Sequence, residues 1–600
     1  MRTSPAGLPS SPGTAPAADG TAPGTGVTAA DGTAPAAGVT AADGTAPADA
    51  AARGDRRDAP AALAARADRR AWLRPGNWLV VVIPALAELV VGGYRLGGAS
   101  LWRDEAYTID AARRTNGQIL ALIGHLDAVH GPYYLCMHVV VGILGTSAAA
   151  VRLPSLLGMS VAAGCTAALG RRLARMAALP APPVTGLTAG LLLVAAPLTT
   201  YYAQDARPYG LVTMLAVIAT QLLITCLADG RWRWWAAYGA AIALTGMFSL
   251  FALLLLFAHG ATLLVTRART RNRAGTGDAR RNEREPQARP ERWLAAAAAA
   301  ILAVSPLIIL GYRQGQTLAW VARPGPWAVI DMAAGFAGSR TLIPVLAATA
   351  AVCVGIEVRR RHRRGFTVTE IALPWLVLPP LILLAVSLVH PAYVERYVVF
   401  CLPALALLSA AGLAWLARLV AAAGRGRKVL WPGWVPGSGR VPGLAWIPSA
   451  VLAAVMAVLL AGPQQAIRLT SARPDNLRAV SAVVAANERP GDAVIYVPSE
   501  ARVVSMGYPA PFSRLRDIAL ARSPVASATL TGIQVPPAAL PGRFAGVNRV
   551  WLVSWSDKRI VSEASDATSR AELALVARMR LIRHWTVGSV VLTLYEPRRQ

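Results

Sequence analysis

The chain has 600 residues, of which 54 % are hydrophobic and 15 % are charged. Soluble domains carry roughly 25 % charged residues, so this composition excludes an ordinary soluble protein, and repeated apolar runs of about 20 residues predict a polytopic membrane protein. The net charge is +28, but most arginines lie in short clusters between the apolar runs, so we expect no nucleic-acid partner. The five cysteines show no metal or disulfide spacing and are interpreted as small buried residues.

The first 75 residues form a tail of distinct composition. Thr, Ala, Pro and Gly dominate it, and the segment 27–35 is repeated at 39–47, with a period of 12. So few large apolar side chains cannot offset the entropy of ordering, and we therefore predict that residues 1–75 are disordered. The arginine cluster before the first apolar run places this tail in the cytoplasm.

Eleven apolar segments predict membrane-spanning helices within a domain over residues 76–463. They lie near 77–95, 152–170, 184–201, 209–228, 232–248, 249–266, 293–311, 341–358, 369–389, 397–418 and 445–462. Arginine-rich stretches follow the even-numbered segments, as the positive-inside rule requires if the chain starts in the cytoplasm. The first exterior loop is then 96–151, and the C-terminus lies outside the cytoplasm.

The composition changes again at residues 464–600, which predict a small extracytoplasmic α/β domain. A helix-like stretch, Asp475–Asn487, precedes the strand-like run Ala493–Val497. Arg549–Ser554 and Ser589–Leu594 have the same strand character. The predicted fold class is therefore mainly α and polytopic, with this small α/β domain at the C-terminus.

Two adjacent carboxylates, Asp104 and Glu105, follow the first apolar segment. Ionisable groups beside a bilayer are costly to hold there and mark a candidate site. One carboxylate can take a proton from a hydroxyl while the other orients a cation or the acceptor, so we assign both as candidate catalytic residues. The alternative is a solvated pair at the start of a helix. The flanking Trp102 and Tyr107 suit a bilayer interface under either interpretation.

A second motif, His130-Gly131-Pro132-Tyr133-Tyr134, lies in the same exterior loop. Its histidine and aromatic side chains can shape a sugar or phosphate pocket, or the histidine can ligate a metal. An interfacial turn with membrane-anchoring tyrosines is the alternative. Arg152 opens the second apolar segment on this side and is a candidate phosphate ligand, with a snorkelling arginine as the alternative.

Two further exterior segments carry charge. Asp205, Arg207 and Tyr209 lie in a link between two apolar segments, where Arg207 is a candidate for a pair of phosphate oxygens and Asp205 for holding it in place. An interfacial anchor explains this link equally well. Arg396 lies at the entry to the tenth segment and is a further phosphate candidate, although it can also pair with Glu395.

Together these motifs resemble the GT-C membrane glycosyltransferases of the protein O-mannosyltransferase and aminoarabinose-transferase type. The resemblance covers about residues 77–420 and depends on the order of Asp104-Glu105, the His130 motif, the segment that begins at Arg152, Gln204 to Tyr209, and Arg396-Tyr397. Where the family often has His-Pro-Pro, this chain has His130-Gly131-Pro132.

The resemblance implies transfer of a sugar from a polyprenyl-phosphate donor to an acceptor outside the membrane, with inversion at the anomeric carbon. The acceptor would be a glycan, lipid or protein of the cell envelope. In that scheme Asp104 is the general base, and Glu105 supports the acceptor or a divalent metal, for which His130 is a second candidate ligand. Arg152, Arg207 and Arg396 hold the departing phosphate, while His130, Tyr133, Asp205 and Tyr209 complete the substrate-binding set.

Other functions are compatible with the composition. A transporter of lipid-linked sugars predicts ionisable residues at helix centres and broken helices in paired halves. A non-catalytic assembly protein of the cell envelope would tolerate loss of Asp104. The arginine- and alanine-rich composition favours a bacterial source, and hence a multi-pass protein of the bacterial plasma membrane, surrounded by membrane lipids.

Overall fold

The computed structural model describes residues 75–179, 181–275, 289–315, 321–360, 366–423, 447–556 and 567–598. The structural statements that follow concern these residues. Apart from Pro75, the tail predicted over residues 1–75 lies outside them.

The N-terminal two thirds of the described chain are helical. The α-helices are α1 Pro75–Gly93, α2 Arg103–Ala112, α3 Asn116–His125, α4 Gly131–Leu144, α5 Ala148–Met176, α6 Pro182–Ala195, α7 Pro197–Ala203, α8 Tyr209–Asp229, α9 Trp232–Phe248, α10 Leu255–Gly275, α11 Pro290–Arg313, α12 Ala328–Ala337, α13 Ile343–Arg359, α14 Val368–Val389, α15 Leu402–Ala423 and α16 Ile447–Ala466. Local signals set several starts, because the side chains of Thr115, Ser147 and Thr367 accept backbone N–H bonds at the first turns of α3, α5 and α14.

Eight helices of the described chain are long and apolar enough to cross a membrane, and a ninth span results if α6 and α7 are counted together. The protein is therefore a multi-pass membrane protein. Each of the eleven predicted segments falls on a helix, but α1 counts as a shorter apolar helix and α9 has 17 residues. The count of eleven spans is not confirmed.

The predicted helix over 184–201 is wrong in one respect, because the chain is broken at Ala196. Helices α6 and α7 meet there at an angle of 66°. Pro197 follows the break, and proline lacks an N–H donor and disfavours helical geometry in the residue before it. The break directs α7 toward the link at 204–208.

Small residues let the helices approach closely. A Cβ atom added at Gly210 of α8 would collide with the carbonyl oxygen of Ser155 in α5. A Cβ at Gly412 of α15 would likewise collide with the carbonyl oxygen of Thr349 in α13. Such backbone contacts are typical of helix packing in membranes, where small residues replace bulky ones at the interface.

The C-terminal region forms an α/β unit, residues 477–598, which confirms the predicted class. Its α-helices are α17 Leu477–Asn487, α18 Val503–Gly507, α19 Leu540–Phe544 and α20 Ala567–Ala577, and its strands are β1 Ala493–Val497, β2 Arg516–Asp517, β3 Leu520–Arg522, β4 Ile533–Gln534, β5 Val550–Trp555, β6 Arg580–Val587 and β7 Val590–Glu596. The main sheet has the order β2-β1-β5-β7-β6. Strand β1 runs parallel to β2 and β5, whereas β7 runs antiparallel to both of its neighbours, β5 and β6.

The sheet is buried on both faces at its centre. Val494, Tyr496 and Trp551 belong to one apolar cluster, while Ile495 and Leu552 belong to another on the opposite face. This alternation follows from the two-residue period of strand side chains.

Helix α2 lies between the helical part and the α/β unit. Ala106 on one side of α2 is buried in the apolar cluster of the α/β unit, which includes Val503 and Val504 of α18. Ile109 is buried in a different cluster, with Met137 of α4 and Val151 of α5. Burial against both parts of the protein therefore fixes the position of the helix that carries Asp104 and Glu105.

Candidate active site

Asp104 lies in the first turn of α2, and its carboxylate faces two arginines. Its Oδ2 atom is 3.5 Å from Nη1 of Arg396 and 4.0 Å from Nε of Arg207. The side chain is 16 % exposed, whereas its neighbour Glu105 is fully buried. Asp104 is thus the member of the acidic pair with an accessible carboxylate, held near two positive charges and the start of a helix.

Glu105 is engaged by the protein through both carboxylate oxygens. Arg152 donates two hydrogen bonds of 2.7 Å to it, from Nε to Oε1 and from Nη2 to Oε2. The backbone N–H of Ala206 donates a third, of 2.9 Å. Burial raises the pKa of Glu105, but the Arg152 guanidinium outweighs that effect and holds the pKa below its ordinary value. Glu105 therefore links α2, α5 and the 204–208 link as a buried anion.

Arg152 has no exposed surface. Besides Glu105, its guanidinium donates hydrogen bonds of 2.9 to 3.1 Å to the carbonyl oxygens of Leu96, Ala99 and Ser100. These contacts hold the chain between α1 and α2 in place. The geometry favours a positioning role for Arg152 over the phosphate contact expected from the sequence.

His130 connects Arg207 to Asp127. Its Nε2 atom lies 2.6 Å from Nη2 of Arg207, and its Nδ1 atom lies 2.5 Å from Oδ1 of Asp127. A guanidinium can only donate, so Nε2 must be the acceptor and the proton must lie on Nδ1, which donates to Asp127. Tyr134 donates its hydroxyl proton to the other oxygen of Asp127. This chain of contacts fixes the tautomer of His130 and the orientation of Arg207.

Two further contacts hold Arg207. Its Nη1 atom donates to Oγ1 of Thr108 at 3.5 Å, one turn after Asp104 on α2. Its carbonyl oxygen accepts a 2.7 Å hydrogen bond from the hydroxyl of Ser155 on α5. Burial opposes the charge of Asp127 at the far end of this chain, but the hydrogen bond from His130 and the guanidinium of Arg207 favour that charge and hold the pKa of Asp127 below its ordinary value.

Asp205 is fully buried beside Trp102 and Arg473. Trp102 Nε1 donates a 2.9 Å hydrogen bond to Oδ1, and Nη2 of Arg473 lies 3.9 Å from the same oxygen. Burial raises the pKa of Asp205 to about 6, with Arg473 opposing the rise and Glu105 adding to it. Asp205 thus orients the indole ring next to Asp104 rather than contacting Arg207 directly as predicted from the sequence.

Aromatic rings pack around these charges. The Arg396 guanidinium carbon is 5.7 Å from the ring centre of Trp102 and 5.6 Å from that of Tyr397. Tyr209 lies at the start of α8 with its ring 5.0 Å from that of Tyr202. Tyr133 is fully buried against Phe248, with 6.4 Å between ring centres. Tyr133 and Tyr209 therefore contribute aromatic packing to the site, and their expected contacts with substrate stay predictions.

The structure adds three charged residues that the sequence did not single out. Asp127 precedes His130 by three residues, a spacing that brings side chains together on one turn and that could have signalled the pair. Arg473 and Asp475 come from the segment after α16 and lie against Asp205 and Arg103, respectively. Each of these two residues is more than 250 positions away from its partner in the sequence, so no local sequence pattern could have indicated the contact.

The expected metal ligands do not form a metal site in the described part of the chain. No group of three or more His, Cys, Asp or Glu side chains is placed there to hold an ion. Both oxygens of Glu105 bind Arg152, and both nitrogens of His130 bind protein side chains. These two residues do not fit a metal in this arrangement.

Comparisons with known proteins identify the fold. The family model described as dolichyl-phosphate-mannose-protein mannosyltransferase matches residues 131–276, which include Arg152, Asp205 and Arg207. The crystal structure of ArnT from Cupriavidus metallidurans in the apo state is similar with a TM-score of 0.53 at 15 % identity, over 86 % of this chain and 97 % of that one. The chain has the fold of the GT-C glycosyltransferases.

Other comparisons complete this finding. ArnT bound to undecaprenyl phosphate gives a TM-score of 0.53 at 14 % identity, with the same coverage of both chains. The arabinosyltransferase EmbB from Mycobacterium smegmatis gives a TM-score of 0.36 at 17 % identity, over 66 % of this chain and 40 % of that one. A search of curated protein sequences finds no match. The likeness to the two ArnT structures confirms, at the level of the fold, the resemblance inferred from the sequence motifs.

Proposed function

We propose that this protein is an integral membrane glycosyltransferase that moves a sugar from a polyprenyl-phosphate donor to a hydroxyl-bearing acceptor, with inversion. The observation that supports this proposal most strongly is that the partly exposed carboxylate of Asp104 faces the guanidinium groups of Arg207 and Arg396. A carboxylate beside two cations combines a proton acceptor with a phosphate-binding pair. Inverting transfer between a lipid phosphate and a hydroxyl needs both.

Two observations support a lipid-linked donor. The similar ArnT structure contains undecaprenyl phosphate. The candidate site lies at the ends of helices long enough to cross a membrane, where a lipid phosphate would be held.

The roles of the charged groups follow from their contacts. Arg207 and Arg396 bind the phosphate of the donor. The phosphate then takes the place of Asp104 as the anion that these two arginines contact, and the Asp104 carboxylate is released to act as a base. Asp104 accepts the proton of the acceptor hydroxyl as its oxygen attacks the anomeric carbon. The new carbon–oxygen bond forms as the bond to the phosphate oxygen breaks on the opposite face, and the two arginines stabilise the charge that grows on the departing polyprenyl phosphate.

Glu105 and Arg152 keep this arrangement rigid. Their fully buried pair joins α2 to α5, and Glu105 also accepts the N–H of Ala206, next to Arg207. In this proposal Glu105 does not contact the acceptor. Glu105 joins α2, which carries Asp104, to the 204–208 link, which carries Arg207. It thereby sets the distance between Asp104 and Arg207.

We further propose that the site and the α/β unit face the exterior of a bacterial plasma membrane and that the N-terminus is cytoplasmic. The supporting argument is the arginine bias of the predicted loops. An exterior site is consistent with an acceptor that is a glycan, lipid or protein of the cell envelope.

One observation favours a second candidate, a transporter of lipid-linked sugars. The break between α6 and α7, bent by 66°, resembles the discontinuous helices of transporters. Transporter folds pair such breaks in two halves, and the described helices contain one bent pair. The transferase accounts for the convergence of Asp104, Arg207 and Arg396 and is preferred.

A transfer assay separates the two candidates. Membranes containing the full chain are incubated with polyprenyl-phosphate sugars that carry a radiolabel in the sugar, and envelope glycans, lipids and proteins are then analysed for label. We expect label to appear in one acceptor class, with release of polyprenyl phosphate. Labelled donor that only moves between the leaflets of reconstituted vesicles, with no acceptor labelled, would overturn the transferase and support the transporter.

A further inference from the structure

One short segment connects the membrane helices to the α/β unit and contacts the candidate site on the way. This segment, residues 468–478, runs from just after α16 into the first turn of α17, and we name it the strap. Its first residue, Arg468, donates a 2.7 Å hydrogen bond to the carbonyl oxygen of Val91 in α1. Its last, Arg478, donates to the carbonyl oxygens of Gly97 and Gly98 at 3.0 and 3.1 Å. The strap therefore follows the chain that leads into α2.

Asp475 of the strap caps the helix that carries Asp104. Trp102 occupies the N-cap position of α2 and makes no side-chain capping bond. Asp475 Oδ2 instead accepts the backbone N–H of Arg103 at 2.9 Å. The same carboxylate binds the Arg103 guanidinium at 2.7 Å and accepts the hydroxyl of Ser589 at 2.5 Å. A helix leaves its first N–H groups without internal partners, so this carboxylate supplies from 372 residues away what a local cap usually supplies.

Arg473 of the strap holds the second segment of the site. Its Nη2 atom donates to the carbonyl oxygens of Tyr201 and Gln204 at 3.1 and 2.6 Å. Its guanidinium carbon lies 3.8 Å from the ring centre of Tyr201. Asp205, the residue next to this segment, is 3.9 Å away. The side chain of Arg473 is 1 % exposed, so these contacts replace solvent around its charge.

We propose that Asp475 and Arg473 are positioning residues and that the strap makes the α/β unit a working part of the active site. The proposal rests on the proposed transferase function for its kinetic consequence. Asp475 sets the position of the first turn of α2, which carries Asp104. Arg473 sets the link that carries Asp205 and Arg207. The two halves of the site are thereby held at a fixed distance by one segment, residues 468–478.

The expected effect is on the chemical step. Misplacing a reacting group by about 1 Å can lower a rate about 100-fold without touching substrate binding. Replacing Asp475 with Ala removes the cap and the partner of Arg103, whereas Asp475→Asn keeps an oxygen that can accept the Arg103 N–H. We therefore expect kcat to fall at least about 10-fold in Asp475→Ala and less in Asp475→Asn, with the donor KM within about 2-fold of the wild type.

Asp492 provides the matched control. It is a buried carboxylate of the α/β unit that accepts hydrogen bonds from Trp551 and pairs with Arg549 at 3.2 Å. These partners all lie inside the α/β unit, so Asp492→Ala disturbs that unit without uncapping α2. We expect Asp492→Ala to lower thermal stability as much as Asp475→Ala does and to leave kcat unchanged. An equal loss of kcat in both variants would overturn the proposal.

Hydrogen exchange of the purified full chain tests the cap without relying on activity. We expect the amides of residues 103–106 to exchange faster in Asp475→Ala, and at the wild-type rate in Asp492→Ala. Unchanged exchange in Asp475→Ala would overturn the positioning role even if the wild type transfers sugar. Faster exchange together with no transfer by the wild type from any labelled donor would instead leave the cap established and overturn the proposed transferase.

Discussion

Arg152 donates two hydrogen bonds of 2.7 Å to the two carboxylate oxygens of Glu105, and neither side chain has exposed surface. This pair joins the helix that carries Asp104 to a membrane helix. Arg152 also donates hydrogen bonds to three carbonyl oxygens in the chain between α1 and α2. A bidentate pair of this kind fixes distance and direction together.

Breaking this pair from one side should destabilise the protein strongly. Arg152→Met leaves a buried carboxylate without its partner, and such changes cost about 3–5 kcal/mol. The double variant Arg152→Met with Glu105→Gln removes both charges and should recover part of the stability. Thermal unfolding in detergent measures both. A single variant as stable as the wild type would show that the pair does not hold the site together.

Replacing Arg207 with Lys should lower transfer by about 100-fold, because one ammonium cannot keep the contacts to His130, Thr108 and Asp104 at once. The measurement is initial rate at saturating and at low donor. Arg113→Lys is the control, since Arg113 directly follows α2 and its side chain binds only the hydroxyl of Thr146 among the contacts described. Equal activity of the two variants would remove Arg207 from the phosphate site.

The tautomer of His130 gives a third prediction. In Asp127→Asn the new amide can donate to Nδ1, which moves the imidazole proton to Nε2, where it opposes the donors of Arg207. We expect kcat to fall about 10- to 100-fold, since a misoriented cation no longer faces the departing phosphate. Tyr134→Phe removes a different hydrogen bond to Asp127 and leaves the tautomer unchanged, so it should be nearly as active as the wild type. Comparable losses in both variants would contradict the proton assignment.

Asp205 predicts the acid side of the pH profile. Its pKa is raised to about 6 from 3.8, so below about pH 6 the carboxyl becomes neutral and Arg473 loses the anion beside it. We expect kcat/KM to fall as pH drops through this range, and Arg473→Gln to move the fall to higher pH, because the guanidinium lowers the pKa of Asp205. Asp205→Asn should lack this limb. If the decrease in kcat/KM at low pH is identical in the wild type, Arg473→Gln and Asp205→Asn, it reports the titration of another group.

The same shift has a consequence for stability. The folded chain binds the Asp205 proton more tightly than the unfolded chain does, so the contribution of Asp205 to the free energy of unfolding decreases as pH rises from 3.8 to about 6 and is constant above. Thermal unfolding of the wild type and Asp205→Asn over this range checks the sign. Only the wild type should show this decrease.

Much of the site follows from the sequence. Ionisable residues are scarce near apolar segments, so Asp104, His130, Arg207 and Arg396 stood out, and the arginine bias of the loops predicted one common face. The structure brings these four residues together through direct contacts. Hydropathy also predicted the helical segments, because length and apolar content depend only on local composition.

The contacts between residues far apart in the sequence, and the break between α6 and α7, were harder to predict. Nothing local indicates that Arg152 binds Glu105 rather than a phosphate, because a buried arginine and a snorkelling arginine have the same sequence. The cap from Asp475 joins positions separated by 372 residues. Strand β6 was missed because as an edge strand it exposes residues on both faces, including Arg583 and His584, and so shows no clear alternation.

The most direct measurement of the central claim is single-turnover sugar transfer by Asp104→Asn, beside Asp110→Asn as the matched control. Both carboxylates lie on α2, but Asp110 pairs with Arg114 at 2.7 Å, away from Arg207 and Arg396. An amide keeps the size of the carboxylate and cannot accept the acceptor proton, so we predict a rate at least about 100-fold lower in Asp104→Asn and unchanged in Asp110→Asn. A wild-type rate in a well-folded Asp104→Asn protein would contradict Asp104 as the base.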